Sequence, residues 1–236
     1  MSNERLSQIR EAERASHLEI YSTAELYEKG SWLQKPIKTV LDLLPVFANY
    51  QALRALDLGS GVGRNSIAVA LEYRHIDCKV ECVDILEYSI ERLRQNAVKY
   101  EVEKEIEGIV SPIENYVIAE NTYDLVMAVS ALEHIDSENA FKEKLKEICQ
   151  GIRAGGVVCL VINSGVTEKD KETGEKLSPQ FEVNLPTQEL QTILQETFIG
   201  WKILKSTIRH QQYDIPRGER TVDLETDVVT FVAQKL

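Results

Sequence analysis

The stretch RALDLGSGVGRNSIAVA, residues 54–70, sets three glycines at alternating positions between an apolar run and a helical pattern. Gly59, Gly61 and Gly63 leave the Cβ out of a turn at three places, which permits positive φ and lets another group touch the main chain. A strand before the turn and a helix that begins near Arg64 would put it where α/β sheets bind nucleotide-like ligands. The stretch therefore predicts a nucleotide-type site.

Two common phosphate-binding patterns do not fit this turn. The dinucleotide fingerprint G-x-G-x-x-G would need a glycine at position 64, where the chain has arginine. A P-loop would need a lysine followed by serine or threonine, and no lysine follows these glycines. The turn meets neither pattern.

Outward from the turn, short runs rich in valine, isoleucine and leucine alternate with longer segments of helical period. This alternation indicates an α/β fold in which helices cover a parallel sheet. The predicted strands are residues 53–58, 79–84, 105–111, 123–129 and 156–163. The predicted helices are residues 64–73, 86–99, 137–149 and a run that starts after Thr187. Two further strand-like segments, residues 200–209 and 227–236, predict an antiparallel edge.

Two regions flank or interrupt this core. Residues 3–30 have the pattern of one or two amphipathic helices, and Pro36 suits the first turn of another. We expect residues 1–50 to form a helical appendage and residues 51–236 to form the core domain. Residues 164–182 are polar and interrupted by glycine and proline, which fits either a mobile lid or a solvated surface loop.

Composition limits the partners of the chain. Its 236 residues carry 38 acidic against 27 basic side chains, a formal charge of −11, which opposes attraction to phosphate backbones. No apolar run reaches the length of about 18 residues that a membrane span needs, and the amino end is charged where a secretory signal would be apolar. We expect a cytoplasmic protein with no nucleic-acid or membrane partner.

The four cysteines, Cys78, Cys82, Cys149 and Cys159, lack the C-x2-C spacing of zinc sites, and three of them lie in strand-like runs. We therefore predict buried free thiols and no metal site.

Asp84 stands at the end of the second predicted strand, next to the glycine turn in such a sheet. A carboxylate there can accept hydrogen bonds from both hydroxyls of an adenosine ribose. The alternative is that Asp84 caps the helix that follows from Leu86.

Several segments in this order resemble the class I S-adenosylmethionine-dependent methyltransferases: LDLGSGVGRNS, VDI, SPIENY, YDLVMAVSALEHI and RAGGVVCLVIN. Arg64 and Asn65 after the glycines, with FIGWKIL near the end, are similar to the branch of tellurite-resistance and thiopurine methyltransferases. The resemblance implies a Rossmann-like sheet of seven mostly parallel strands, with helices on both faces and an antiparallel edge strand. It also implies S-adenosylmethionine as the cofactor and S-adenosylhomocysteine as its product.

The resemblance assigns contacts to particular residues. The glycine turn lies against the methionine part of the cofactor, Asp84 binds the ribose and Ile85 packs on the adenine. The family usually presents an acidic or polar residue to the adenine amino group. This chain has Pro112 there, with neither a polar side chain nor an N–H, which leaves Ile113 to pack on the ring. The implied cofactor-binding residues are Trp32, Gly59, Ser60, Gly61, Gly63, Asn65, Asp84, Ile85, Pro112, Ile113, Val129 and Ser130.

Methyl transfer from a sulfonium depends mainly on positioning, which can supply about 7 to 11 kcal/mol. Glu133 and His134 match the rim of the active site, and a hydroxyl or carbon nucleophile would need a base there. We predict His134 as this base and Tyr21 as the residue that orients the acceptor. The alternative is that His134 is an exposed cap before the helix that starts near Ser137. Trp32 belongs to a candidate lid over the cofactor.

We therefore expect a methyltransferase (EC 2.1.1.-) that acts on a small molecule by in-line displacement, as a monomer or homodimer. Two alternatives remain open. Methylation of RNA or protein would be favoured by a basic face beside Glu133 and His134. A protein of this fold can also bind the cofactor or its product without turnover.

Overall fold

The computed structural model describes residues 5, 7, 9–11, 21, 24–218 and 220–236. Most of the predicted helical segment 3–30 lies outside these residues. Residues 5, 7, 9–11 and 21 are helical, whereas residues 24–30 form turns and irregular structure, so the predicted helix does not extend to Gly30. In the described part of the chain the helices are α1 (Lys38–Leu43), α2 (Ser66–Tyr73), α3 (Glu87–Lys99), α4 (Glu138–Gly151) and α5 (Thr187–Thr197). The strands are β1 (Ala52–Leu58), β2 (Asp77–Asp84), β3 (Ile106–Val110), β4 (Tyr123–Val129), β5 (Ile152–Asp170), β6 (Lys176–Leu177), β7 (Lys202–Arg217) and β8 (Arg220–Gln234).

The strands form one sheet in the order β3-β2-β1-β4-β5-β8-β7, and the short β6 pairs with β5. Strands β1 to β5 are parallel, whereas β8 runs antiparallel to both β5 and β7. The predicted Rossmann-like α/β class is confirmed. Successive strands diverge from β1 to opposite sides, so a crevice opens at the carboxyl ends of β1 and β4.

Side chains of the sheet alternate between two apolar cores, one on each face. Within β1, Leu53 and Ala55 face the core that α2 and α3 cover, while Leu56 and Leu58 face the core that α4 and α5 cover. A central strand buried on both faces is typical of a parallel sheet. This burial fixes the ends of β1, β2 and β4 relative to one another.

The predicted elements near the site agree with the structure to within a few residues, but the loop predicted over residues 164–182 is wrong in its first part. β5 continues to Asp170, and β7 and β8 are longer than the segments predicted for them. Residues 164–170 pair with residues 222–227 of β8. We call residues 164–182 and 210–226 the β extension.

Polar side chains inside the β extension explain the error. Glu168 and Asp170 are buried and face arginines of the neighbouring hairpin. Arg217 Nη2 lies 3.2 Å from Glu168 Oε1, and Arg220 Nε lies 3.7 Å from Asp170 Oδ2. The strand is held by backbone pairing and these ion pairs, so it lacks the apolar alternation from which strands are predicted.

Two expectations from composition can be compared with the structure. All four cysteines are free, and Cys78, Cys82 and Cys159 are buried as predicted, whereas Cys149 is half-buried. Among the described helices, none is long and apolar enough to cross a membrane.

Candidate active site

The glycine turn is bonded to the end of the neighbouring strand. The N–H groups of Gly59 and Ser60 both donate to the Val83 carbonyl, at 2.8 and 3.0 Å. Gly59, Gly61 and Gly63 all have positive φ, of 75°, 54° and 92°. Only glycine adopts such angles without strain, so the turn needs glycine at these positions whatever it binds.

Asp84, the last residue of β2, orients its carboxylate through two backbone donors. Gly61 N–H donates to Oδ2 and Leu86 N–H donates to Oδ1, both at 2.9 Å. The bond with Leu86 precedes α3, but the N-cap residue is Leu86 and no side chain caps this helix, so Asp84 does not act as its cap. The carboxylate therefore links the tip of β2 to the glycine turn and faces the space between them.

A cavity of about 1010 Å³ opens at this edge of the sheet. Of the predicted site residues, all except Gly63 line it, from Tyr21 and Trp32 to Ser130 and His134. A Cβ on Gly63 would instead meet the side chains of Leu93 and Ile67, behind the cavity wall. Gly63 is therefore part of the turn but does not line the cavity, because α3 packs against it; its contact with a cofactor stays a prediction.

The cavity wall has both apolar and strained elements. Ile85 leaves 43% of its surface exposed, and Pro112 and Ile113 lie beside it. Ser130, directly after β4, has a φ of 50°, which is unusual for a residue with a side chain. Such strained residues cluster at sites where the backbone must take a particular orientation.

The described part of the amino-terminal segment covers one side of the cavity through contacts with the start of α2. Arg64 Nη1 donates to the Trp32 carbonyl at 3.0 Å, and the guanidinium lies 4.8 Å from the centre of the Trp32 ring. Asn65 Oδ1 accepts from Ile37 N–H at 3.1 Å. The buried Tyr21 ring lies 6.1 Å from that of Trp32.

His134 ends a short 3-10 helix after β4 and is oriented by two residues of the β extension. Its Nδ1 lies 2.9 Å from Glu182 Oε2, and Phe181 stacks on the imidazole at 5.2 Å. With Nδ1–H donating to a carboxylate, the lone pair of the neutral ring is on Nε2. This is the arrangement that a general base requires.

Glu133 beside it is completely buried and does not line the cavity. Its Oε1 accepts from the main-chain and side-chain N–H groups of Asn163, at 3.1 and 2.6 Å. Burial raises the pKa of the Glu133 carboxyl. Glu133 therefore supports the loop that carries His134 and lies behind the site.

Asp57 in β1 is a second buried carboxyl group, beneath the glycine turn. It accepts a hydrogen bond from the Ser66 hydroxyl at the first residue of α2. Burial raises its pKa to about 6, while the Ser66 hydrogen bond and the charge of Arg64 oppose the rise. The bond ties the strand before the turn to the helix after it.

Sequence reasoning missed Arg10, Glu114, Asn163, Phe181 and Glu182, which all line the cavity. Glu114 and Asn163 lie in the segments SPIENY and RAGGVVCLVIN, to which no site role was assigned beyond the adenine contact. Arg10, Phe181 and Glu182 lie in no motif, and Phe181 and Glu182 reach the site only because the β extension folds back. Asp57 was also not singled out. An acidic residue within an apolar strand was a signal from which this buried carboxyl group could have been predicted. Among the described residues, no group of three or more histidine, cysteine, aspartate or glutamate side chains is arranged to hold a metal ion.

The sequence model of one protein family, described as Methyltransferase domain, matches residues 55–156. The match runs from β1 into β5 and includes the glycine turn, Asp84 and His134. No curated protein sequence matches the chain.

Three of the solved structures that share the fold illustrate its range. TehB from Haemophilus influenzae is 20% identical, with a TM-score of 0.59, and the alignment covers 83% of this chain. This chain spans only 62% of the length of TehB. A SAM-dependent methyltransferase from Methanosarcina mazei is 18% identical, with a TM-score of 0.56 over 81% of this chain and 97% of its own. The [4+2]-cyclase SpnF is 13% identical, with a TM-score of 0.57; the alignment covers 88% of this chain and 84% of the SpnF chain. At these identities the likeness shows the fold, which does not decide the reaction.

Proposed function

We propose that this chain, a class I methyltransferase by its matched domain and its fold, transfers a methyl group from S-adenosylmethionine to a small molecule bound beside His134. The domain and the fold imply S-adenosylmethionine as cofactor and S-adenosylhomocysteine as product. One observation carries the proposal. The glycine turn and the Asp84 carboxylate, joined by the Gly61 hydrogen bond of 2.9 Å, form one wall of the cavity at the carboxyl edge of the sheet.

The residues of the cavity fit this cofactor. The Asp84 carboxylate accepts hydrogen bonds from neighbouring hydroxyls, as a ribose diol requires. Ile85 and Ile113 offer an apolar surface for a flat base, and 43% of Ile85 is exposed to be covered. Val129 and Ser130 line the same cavity, and a main-chain carbonyl there can accept from the ammonium group of an amino acid.

When bound, S-adenosylmethionine supplies a methyl group on a positively charged sulfur that an acceptor attacks in line. The chain has to hold the acceptor in that line and to exclude water. Tyr21 and Trp32 form an aromatic wall suited to both tasks, since an aromatic face near a cation is favourable by about 0.5 to 2 kcal/mol. We assign Tyr21 to orienting the acceptor.

His134 is the proposed base. Its bond with Glu182 holds the proton on Nδ1, so Nε2 can take a proton from an acceptor hydroxyl or N–H group. Stacking on Phe181 fixes the plane of the ring. An acceptor that attacks as an anion or a neutral amine would not need this step during attack.

We also propose that residues 1–50 act as a lid on the cofactor-binding domain, residues 51–236. The described contacts that support it join the segment to α2 and α3. Tyr27 Oη donates to the Arg64 carbonyl at 2.9 Å, and Lys99 Nζ lies 2.8 Å from Glu25 Oε2. Part of this lid region falls on residues outside the described ones.

A small acceptor is favoured over RNA by the charges near His134. The described residues that line this end of the cavity include Glu11, Glu114 and Glu182 but only one cation, Arg10. A basic face, which phosphate recognition would need, is not found there among the described residues. Unpaired cysteines also agree with a reducing compartment, so we place the protein in the cytoplasm.

The decisive experiment measures binding of S-adenosylhomocysteine by calorimetry to the wild type and to Asp84→Ala. Loss of a charged hydrogen-bond acceptor for two hydroxyls should cost about 3 kcal/mol or more, which is a fall in affinity of at least about 100-fold. Asp77→Asn, at the exposed opposite end of β2, is the matched control and should bind as the wild type does.

Turnover is then tested with labelled S-adenosylmethionine and three classes of acceptor: small metabolites, RNA and protein. Labelling of metabolites alone supports the proposal. Labelling of RNA or protein would contradict the proposal of a small-molecule acceptor. Binding without transfer to any class would make the chain a cofactor-binding protein.

A further inference from the structure

Glu182 lines the cavity and has one buried carboxylate oxygen without a hydrogen-bond donor among the described residues. Its side chain has no exposed surface and lines the cavity. Oε2 is bonded to His134, but Oε1 has no hydrogen-bond partner. An ionised carboxylate is rarely left in this condition inside a protein.

Among the described residues, Arg10 is the Lys or Arg side chain that forms an ion pair with this oxygen, but it does not donate a hydrogen bond to it. Arg10 Nε lies 3.8 Å from Glu182 Oε1, beyond hydrogen-bond distance. Arg10 Nη2 is instead bonded to Glu114 Oε1 at 2.6 Å. The guanidinium therefore pairs with Glu114 first and leaves Glu182 Oε1 without a hydrogen bond.

The charge of the surrounding cavity selects the kind of donor. Asp84 and Arg64 belong to the cofactor end, next to the glycine turn. Of the remaining charged side chains that line the cavity, those within the described part of the chain are Glu11, Glu114 and Glu182 against Arg10. Because carboxylates outnumber cations at this end, a cationic acceptor gains by entering it and an anionic acceptor does not.

We propose that the acceptor carries a protonated amine and that Glu182 Oε1 binds it; this deepens, and rests on, the proposed function. An ammonium group has three N–H donors and meets a buried carboxylate with a charge-assisted hydrogen bond. A protonated amine has no lone pair with which to attack a methyl group. The amine is therefore the anchor, and the methylated atom is a second nucleophile on the same molecule, beside His134.

The test measures ligand binding by calorimetry on the protein saturated with S-adenosylhomocysteine. One series shares a phenol: tyramine, 4-ethylphenol and 3-(4-hydroxyphenyl)propionate. A second shares a four-carbon chain: 4-amino-1-butanol, 1-butanol and 4-hydroxybutanoate. In at least one series the ammonium member should bind at least tenfold more tightly than its neutral and anionic partners.

Glu182→Gln should reduce this preference to less than threefold while it changes affinity for S-adenosylhomocysteine less than twofold. The control Glu189→Gln removes the same charge from an exposed position in the first turn of α5 and should change neither value. If Glu182→Gln does not fold, Arg10→Met serves in its place. Removing the competing cation should tighten ammonium binding by threefold or more, and weaker binding would contradict the proposal.

The outcomes separate the two proposals. Failure of the wild type to bind S-adenosylhomocysteine rejects the proposed function. Normal binding of S-adenosylhomocysteine with equal affinity for ammonium, neutral and anionic ligands, or with no affinity for any of them, rejects the amine anchor alone. A preference that Glu182→Gln leaves intact would also reject it.

Discussion

At each glycine of the turn, a different neighbouring side chain leaves no room for a Cβ atom. A Cβ on Gly59 would collide with Ala131, and one on Gly61 would lie 2.6 Å from the Tyr21 hydroxyl oxygen. A Cβ on Gly63 would collide with Leu93. The expectation that a ligand crowds all three positions is therefore too simple, because side chains of this chain already approach each of them.

The turn gives a paired prediction. Gly61→Val should lower affinity for S-adenosylhomocysteine at least tenfold, because the new side chain displaces Tyr21 at the cavity wall. Gly63→Val should act mainly on stability, by about 2 to 4 kcal/mol, since it adds overpacking against Leu93 to the strain of positive φ. Calorimetry and urea unfolding on both variants separate the effects. Equal affinity loss from the two substitutions would contradict the assignment.

Asp57 predicts an unusual pH dependence of stability. Burial raises its pKa from the usual 3.8 to about 6, so the folded state binds the proton more tightly than the unfolded state. The protonated Asp57 therefore stabilises the folded state relative to the ionised form. This stabilisation is fully present below pH 3.8 and is lost as pH rises through 6, and it amounts to at most about 3 kcal/mol. Asp57→Asn keeps an acceptor for Ser66 but cannot titrate. The difference in unfolding free energy between variant and wild type should therefore change between pH 4 and 7, and a constant difference would disprove it.

Among the elements, those that could be predicted were the ones with an apolar period. Strand β4, whose seven residues are nearly all buried, was predicted with its observed bounds, as were the approximate spans of α3 and α4. The β extension could not be predicted because its strands bury Glu168 and Asp170 instead of apolar side chains. Its formation depends on arginines about 50 residues further along the chain, which no local pattern contains.

We expect the ion pairs of the β extension to contribute different amounts to the free energy of unfolding, according to their burial. Glu168 is 2% exposed and its partner Arg217 is 21% exposed, whereas Lys171 and Asp214 are 51% and 55% exposed. Arg217→Met should cost about 2 kcal/mol, below the 3 to 5 of a fully buried pair, because water reaches part of Arg217. Lys171→Met should cost less than about 0.5 kcal/mol. Urea unfolding of both variants tests the difference, and equal losses would show that burial does not govern these pairs.

At the scale of the whole molecule, the sheet assembles the site from parts that are distant in sequence. The ends of β1, β2 and β4 meet at one edge because parallel strands share a direction, and this part of the site was predictable from Gly59, Asp84 and Ser130. The acceptor end was not, since Arg10 and Glu182 are more than 170 residues apart in the chain. Their meeting depends on the β extension folding back over the sheet edge.

The separation of the cavity into a cofactor end and an acceptor end predicts where cofactor binding will make the protein more rigid. Binding of S-adenosylhomocysteine should slow amide hydrogen exchange in residues 59–65, 84–87 and 129–134, which line or adjoin the cofactor end of the cavity. Exchange in the outer part of the β7–β8 hairpin, residues 210–226, should be almost unchanged, because those residues do not line the cavity. Exchange measured by mass spectrometry with and without the ligand, with Asp84→Ala as the non-binding control, tests both statements. Protection concentrated in the hairpin would place the ligand elsewhere and contradict the cofactor assignment.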